Sequence, residues 1–163
     1  MVNKNKTRKN TTTKLRTNIN QKSFDNVIKC MLELSIMIKL YHWNTLSYAT
    51  HKATDQTHGI LADKTDKYAE VMIGKGNGKY RINMNHYKTL NIGKIESNEN
   101  MIKKVKNFII YLNNFHSTLD SKIYSEVNNI RDEIVGELDT FLYLLTLHSN
   151  LILRVKLKSF WKT

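Results

Sequence analysis

Proline is absent from the chain and glycine is scarce, with six in 163 residues. Architectures built from many short strands depend on both for their turns, so the composition disfavours sheets and favours long helices. A single cysteine, Cys30, excludes an intrachain disulfide and any cysteine-rich zinc site, and fits a reducing compartment. The apolar run toward the C-terminus, Phe141 to Leu147, falls far short of the ~20 residues that cross a bilayer, so a soluble protein with no membrane partner is expected. The length suits one domain that buries its own core.

Acidic residues are missing from the ends. Residues 1–22 carry Lys4, Lys6, Arg8, Lys9, Lys14, Arg16 and Lys22 with no acid, and residues 151–163 carry Arg154, Lys156, Lys158 and Lys162, which leaves only +1 of the formal +12 to everything between. A nearly neutral domain with basic ends reads as a folded unit carrying arms for a polyanion, most simply nucleic acid, with Lys4, Lys6, Arg8, Lys9, Lys14 and Arg16 as the contacting cations. A solubilising tail is the plainer alternative. A transit peptide is a third, though Val2, Leu15 and Ile19 make no broad apolar face. Residues 1–22 are too polar to offset the entropy of ordering and are expected to be a disordered basic arm.

Helical periodicity then organises the chain. Ser23 can cap a first helix in which Phe24, Val27, Ile28, Met31, Leu34, Ile38, Tyr41 and His42 recur at three and four, ending near Thr45. Ser47 can cap a second helix that runs to Ile73, where Gly74, Gly76 and Gly78 stop it. Those glycines lack the strand-to-helix setting of a phosphate-binding loop. Residues 79–94 form a mixed connection with room for a short helix. After Ser97 a third helix carries Met101, Val105, Phe108, Leu112, His116 and Leu119, and a fourth carries Val127, Ile130, Ile134, Leu138, Phe141, Leu145 and His148. The expected fold is all-α: a ferritin-like four-helix bundle over residues 23–150 with one long crossover between helices 2 and 3, followed by a basic extension of helix 4 over residues 151–163.

Chemistry concentrates between His42 and Glu70. His51 and Asp55 are four apart, as are Asp66 and Glu70, so each pair stacks on one helix face. At 100° per residue with His51 at zero, Asp55 falls at about 40°, Asp66 at about 60° and Glu70 at about 100°, with His58 bordering the same flank. Ala53, Ile60, Leu61, Tyr68, Val71 and Met72 fall on the opposite side, so the ligand flank faces away from the chain's own core. The middles of the two pairs lie 15 residues apart, about 22 Å along a helix. One ion cannot take ligands from both pairs of one chain. An antiparallel two-fold dimer would join His51 and Asp55 of one subunit to Asp66 and Glu70 of the other, making two equivalent sites. Imidazole with carboxylates suits Fe(II), with Zn or Mn as alternatives. The plain alternative is a solvated charged face with local pairs worth a few tenths of a kcal/mol. His42, on the apolar stripe of the first helix, is open between a buried, hydrogen-bonded histidine and a further ligand.

The residues His42-Trp43-Asn44, then His51-x-x-x-Asp55, then Asp66-x-x-x-Glu70 resemble the motif of the Dps mini-ferritins. The stretch His42-Trp-Asn-Thr-Leu-Ser-Tyr-Ala-Thr-His-Lys-Ala53 is similar to a divergent Dps-like group of phages and large DNA viruses. The resemblance spans residues 24–150, with weaker support from Asp139 to Leu145. It implies ferroxidase ligands His51, Asp55, Asp66, Glu70 and His42, shared between two-fold-related subunits, within a homo-oligomer whose family form is a dodecamer. It also implies a DNA-binding role for the basic arm, and a cytoplasmic, nucleoid-associated or virion location. The function so expected is Fe(II) binding and oxidation that protects nucleic acid, with ferroxidase activity itself left open. The alternative is a structural or virion nucleic-acid-packaging protein on the same bundle, without enzymatic activity.

Overall fold

The computed structural model describes the backbone of residues 19–160 and the side chains of residues 19–147. It contains four α-helices and no strand among the described residues: α1 (Gln21–Asn44), α2 (Tyr48–Lys75), α3 (Asn98–Ser117) and α4 (Ser125–Phe160), with a short 3-10 helix at Met84–Tyr87. The cations Lys4, Lys6, Arg8, Lys9, Lys14 and Arg16 lie outside the described residues. Among the described residues no helix is long and apolar enough to cross a membrane.

The expected stripes are the ones buried. Phe24, Val27, Met31, Leu34 and Ile38 of α1 meet Met101, Val105 and Leu112 of α3 and Val127, Ile134, Leu138, Phe141 and Leu145 of α4 in one core. Each such side chain removed from water contributes roughly 1.5–3 kcal/mol. On α2 the buried face holds Ala53, Leu61, Tyr68 and Met72 but also Thr50, Thr54, Thr57 and Thr65. Two of these hydroxyls return to the helix's own backbone, Thr54 Oγ1 donating toward the Thr50 carbonyl at 2.8 Å and Thr65 Oγ1 to the Leu61 carbonyl at 2.7 Å, and Thr57 Oγ1 donates to Glu137 of α4.

Helix directions follow from the links. Residues 45–47 reverse the chain, so α2 runs antiparallel to α1, and Ser47 caps it by accepting from the Thr50 amide. Helix α2 passes through Gly74 and stops at Gly76, whose missing Cβ leaves space for the Tyr80 ring; a Cβ there would lie 2.3 Å from Tyr80 Cδ2. Gly78 then takes φ +83, where a side chain would be strained. The link from residue 76 to residue 97 travels back along α1. Tyr80 donates to the Ile19 carbonyl, Tyr87 donates to the buried Asp25 carboxylate, Lys29 donates to the His86 carbonyl, and the Asn91 amide donates to Glu33. The link delivers Asn98, the first residue of α3, to the far end of α1, where it accepts from Tyr41 Oη at 2.7 Å and donates to the Leu145 carbonyl of α4. Each helix is therefore antiparallel to its two neighbours, with α1 packed on α2 and α3, and α4 packed on the same two.

One boundary differs from the sequence-based expectation. Residues 19–22, expected to belong to a disordered arm over residues 1–22, are part of the bundle instead: Asn20 rather than Ser23 caps α1, accepting from the Ser23 amide at 2.8 Å, and Ile19 is buried in the core. Helix α4 runs to Phe160, and residues 161–163 of the expected basic extension of helix 4 lie outside the described residues.

A buried polar relay crosses the core between α2, α3 and α4. Tyr68 Oη lies 2.9 Å from His116 Nε2, and His116 Nδ1 lies 2.8 Å from Asn128 Oδ1. Asn128 Oδ1 is an acceptor, so the imidazole carries its proton on Nδ1 and Tyr68 donates to Nε2. Burial holds the His116 pKa below its ordinary 6.5, outweighing the hydrogen bond to Asn128 that raises it. The unfolded chain therefore takes up a proton that the folded one resists, and this contribution to stability, complete above about pH 6.5, is lost as pH falls below that value. Urea unfolding at about pH 7.5 and about pH 5.5 should show a larger loss for the wild type than for His116→Gln; equal losses would contradict the relay.

Candidate metal centre

The turn at residues 45–47 is short enough to lay the last turn of α1 against the second turn of α2, and this brings His42 onto His51. Their rings stack with centroids 3.9 Å apart and planes 25° from parallel. The bonding is reciprocal: His42 Nδ1 lies 3.0 Å from the His51 carbonyl, and His51 Nδ1 lies 3.1 Å from the His42 carbonyl. A carbonyl only accepts, so both Nδ1 atoms donate. The His42 carbonyl belongs to the last turn of α1, whose carbonyls lack partners within the helix, and the His51 ring serves as its cap. Thr54 Oγ1, 3.3 Å from His42 Nδ1, closes the site from the core side.

This arrangement decides which nitrogen is left. In a neutral imidazole with its proton on Nδ1, Nε2 carries the lone pair that a metal binds, and a backbone carbonyl on Nδ1 is the usual way proteins orient such a ligand. His42 Nε2 lies 3.7 Å from Asp55 Oδ1. A lone pair and a carboxylate facing each other at that separation create a position that favours a cation. His42 is 6% exposed and Asp55 stands in solvent, so the position opens outward from a buried base.

Asp66 and Glu70 lie further down α2, both on the flank opposite Tyr68 and Met72, outside the core. Asp66 borders a groove of about 430 Å³ between α1 and α2, lined by Ile28, Leu32, Ala62, Ala69 and Met84. Among the described residues no three or more His, Cys, Asp or Glu side chains of the single chain converge as a group able to hold a metal. The structure thus pairs His42 with His51 and sets Asp55 beside His42, two pairwise contacts rather than a three-ligand group, and leaves Asp66 and Glu70 further along the flank.

Of two further residues on these helices, Lys39 lies outside what the sequence pattern singles out and His58 borders the flank it picks out. Lys39 Nζ sits 3.5 Å from the same Asp55 Oδ1 and 5.7 Å from the centre of the Trp43 ring. His58 bonds through Nδ1 to Ser35, at 3.1 Å from Oγ and 3.2 Å from the carbonyl. Lys39 precedes His42 by three residues, one helical turn, a spacing that could have pointed to it.

A model for a family of unknown function, DUF5856, matches residues 42–145, from His42 through both carboxylate-bearing pairs of α2 to Leu145 of α4. No curated protein matches the chain, and no solved structure does.

At neutral to mildly alkaline pH, ¹⁵N–¹H correlation of the imidazole rings should find His42 and His51 protonated on Nδ1 with Nε2 bare. An Nε2–H tautomer, or a doubly protonated His42 paired to Asp55, would contradict the reciprocal arrangement.

Proposed function

We propose that this chain, which belongs to the DUF5856 family, is a Dps-like, ferritin-like protein that binds Fe(II) as a substrate and oxidises it at sites shared between two subunits. The observation that carries the reading is the stacked His42–His51 pair, with both Nδ1–H groups spent on backbone carbonyls and Asp55 beside His42 Nε2. Bare imidazole nitrogens with a carboxylate are a donor set for Fe(II), and also for Zn or Mn. The long link that returns along α1, leaving every neighbouring helix antiparallel, supports the ferritin-like assignment.

Two sets of donors on one flank, about 22 Å apart along α2, call for a second copy. In an antiparallel dimer His42, His51 and Asp55 of one subunit face Asp66 and Glu70 of its partner, and each site gains enough ligands for an ion while keeping room for an oxidant. The groove beside Asp66, with Ile82 and Met84 exposed next to it, offers apolar surface for such packing. Peroxide or oxygen would accept the electrons that Fe(II) releases. Assembly beyond the dimer, up to a dodecamer, rests on the resemblance. Association with nucleic acid rests on the charge of residues 1–22 and 151–163, which would place the polyanion where Fe(II) is being consumed.

Asp55 and Glu70 both lie outside the core, so replacing either should leave the bundle folded. Mixing the iron-free protein with Fe(II) and peroxide should give rapid oxidation that falls by about 10–100-fold in Asp55→Ala and in Glu70→Ala. Unchanged rates in both would overturn the reading and favour a structural nucleic-acid-packaging role for the same bundle.

A further inference from the structure

Asp55 Oδ1 has two neighbours, and only one of them is a donor of lone pairs. His42 Nε2 stands at 3.7 Å and Lys39 Nζ at 3.5 Å from that one oxygen. The ammonium is also placed over Trp43, at 5.7 Å from the ring centre, where the negative face of the indole attracts it. Lys39 keeps only part of its side chain in solvent, 29%. A flexible, fully solvated lysine would have many alternatives; this one rests between a carboxylate and an aromatic face, one helical turn before His42.

We propose that Lys39 is an internal cation that occupies the Asp55 half-site until metal displaces it, and so sets the site's affinity for divalent ions. The inference rests on the metal-site reading above and deepens it. A divalent ion bound to Asp55 and His42 must take over the carboxylate oxygen that Lys39 now holds. It must also tolerate the ammonium nearby, or have it swing away along its four-carbon stem, which leaves the contact with Trp43 as a resting place. The lysine thereby favours ions that bind carboxylate and imidazole strongly enough to compete, and disfavours weakly bound hard cations such as Mg²⁺. It also keeps two lone-pair groups from facing each other uncompensated while the site awaits its substrate.

The test is equilibrium binding of Zn²⁺, a redox-silent probe, to the full chain by isothermal titration calorimetry, comparing wild type, Lys39→Met, Lys39→Arg and Asp55→Ala. Lys39→Met keeps the aliphatic stem and removes the charge. It should tighten Zn²⁺ binding by about tenfold or more, the scale set by a unit charge about 5 Å from a divalent ion in a high-dielectric surface site. Lys39→Arg keeps the charge and should stay near wild type, and Asp55→Ala should weaken binding. Loss of a merely structural contact would weaken binding in Lys39→Met rather than tighten it. If Lys39→Met binds Zn²⁺ no more tightly than a wild type that does bind it, the inference is wrong and the metal-site reading stands. If neither wild type nor Lys39→Met binds Zn²⁺, both are wrong.

Discussion

The three-residue turn between α1 and α2 is the constraint on which the rest depends. Because residues 45–47 give the chain no slack, the C-terminal turn of α1 and the N-terminal turns of α2 share one end of the bundle, and the carbonyls freed at the end of α1 need donors. His51 supplies one to the His42 carbonyl, and His42 returns the bond to the His51 carbonyl. The same two rings thus cap the end of α1 and fix each other's orientation, with Nε2 the nitrogen left over on each. The turn also sets the path of the later chain. With α2 antiparallel to α1, its end lies at the start of α1, and the link must climb the whole of α1 before α3 can begin at Asn98.

Helix α2 serves two environments at once. Its inner face buries Leu61, Tyr68 and Met72 beside threonines, two of whose hydroxyls bond back to their own helix, and its outer flank carries His51, Asp55, Asp66 and Glu70. Short threonines let the neighbouring helices approach, and they spend none of the flank's carboxylates on internal bonding. Asp55 of that flank meets Lys39 of α1, and two carboxylates of α4 pair with lysines of α2, Glu126 with Lys75 and Glu133 with Lys64. Exposed pairs of this kind contribute little to stability. Asp66 and Glu70 have no ion pair among the described residues.

Much of this is legible in the residues. Helical patterning locates all four helices, Ser47 is readable as a cap, and the phase of α2 alone puts its carboxylates on the outer flank. What the residues conceal has physical causes. Asn20 is hidden as the cap because it sits in a long run of Asn, Thr and Lys in which many side chains could serve as caps. The threonines on the inner face of α2 escape a search for hydrophobic periodicity, since their burial depends on local bonding rather than on side-chain polarity. The meeting of Lys39 with Asp55 and the pairing of His42 with His51 join different helices, and no spacing within one helix encodes them. The relay from Tyr68 through His116 to Asn128 is hidden for the same reason.

Dependence of each site on two chains is the central claim, and subunit complementation addresses it directly. When an Asp55→Ala chain pairs with a Glu70→Ala chain, one of the two sites loses both carboxylates and the other keeps its full ligand set. Co-expressed or refolded as an equal mixture, two variants that are inactive alone should recover Fe(II) oxidation to about a quarter of the wild-type rate, the share of intact sites under random pairing. A mixture that stays as inactive as its parents would show that the two halves of α2 do not build one site together.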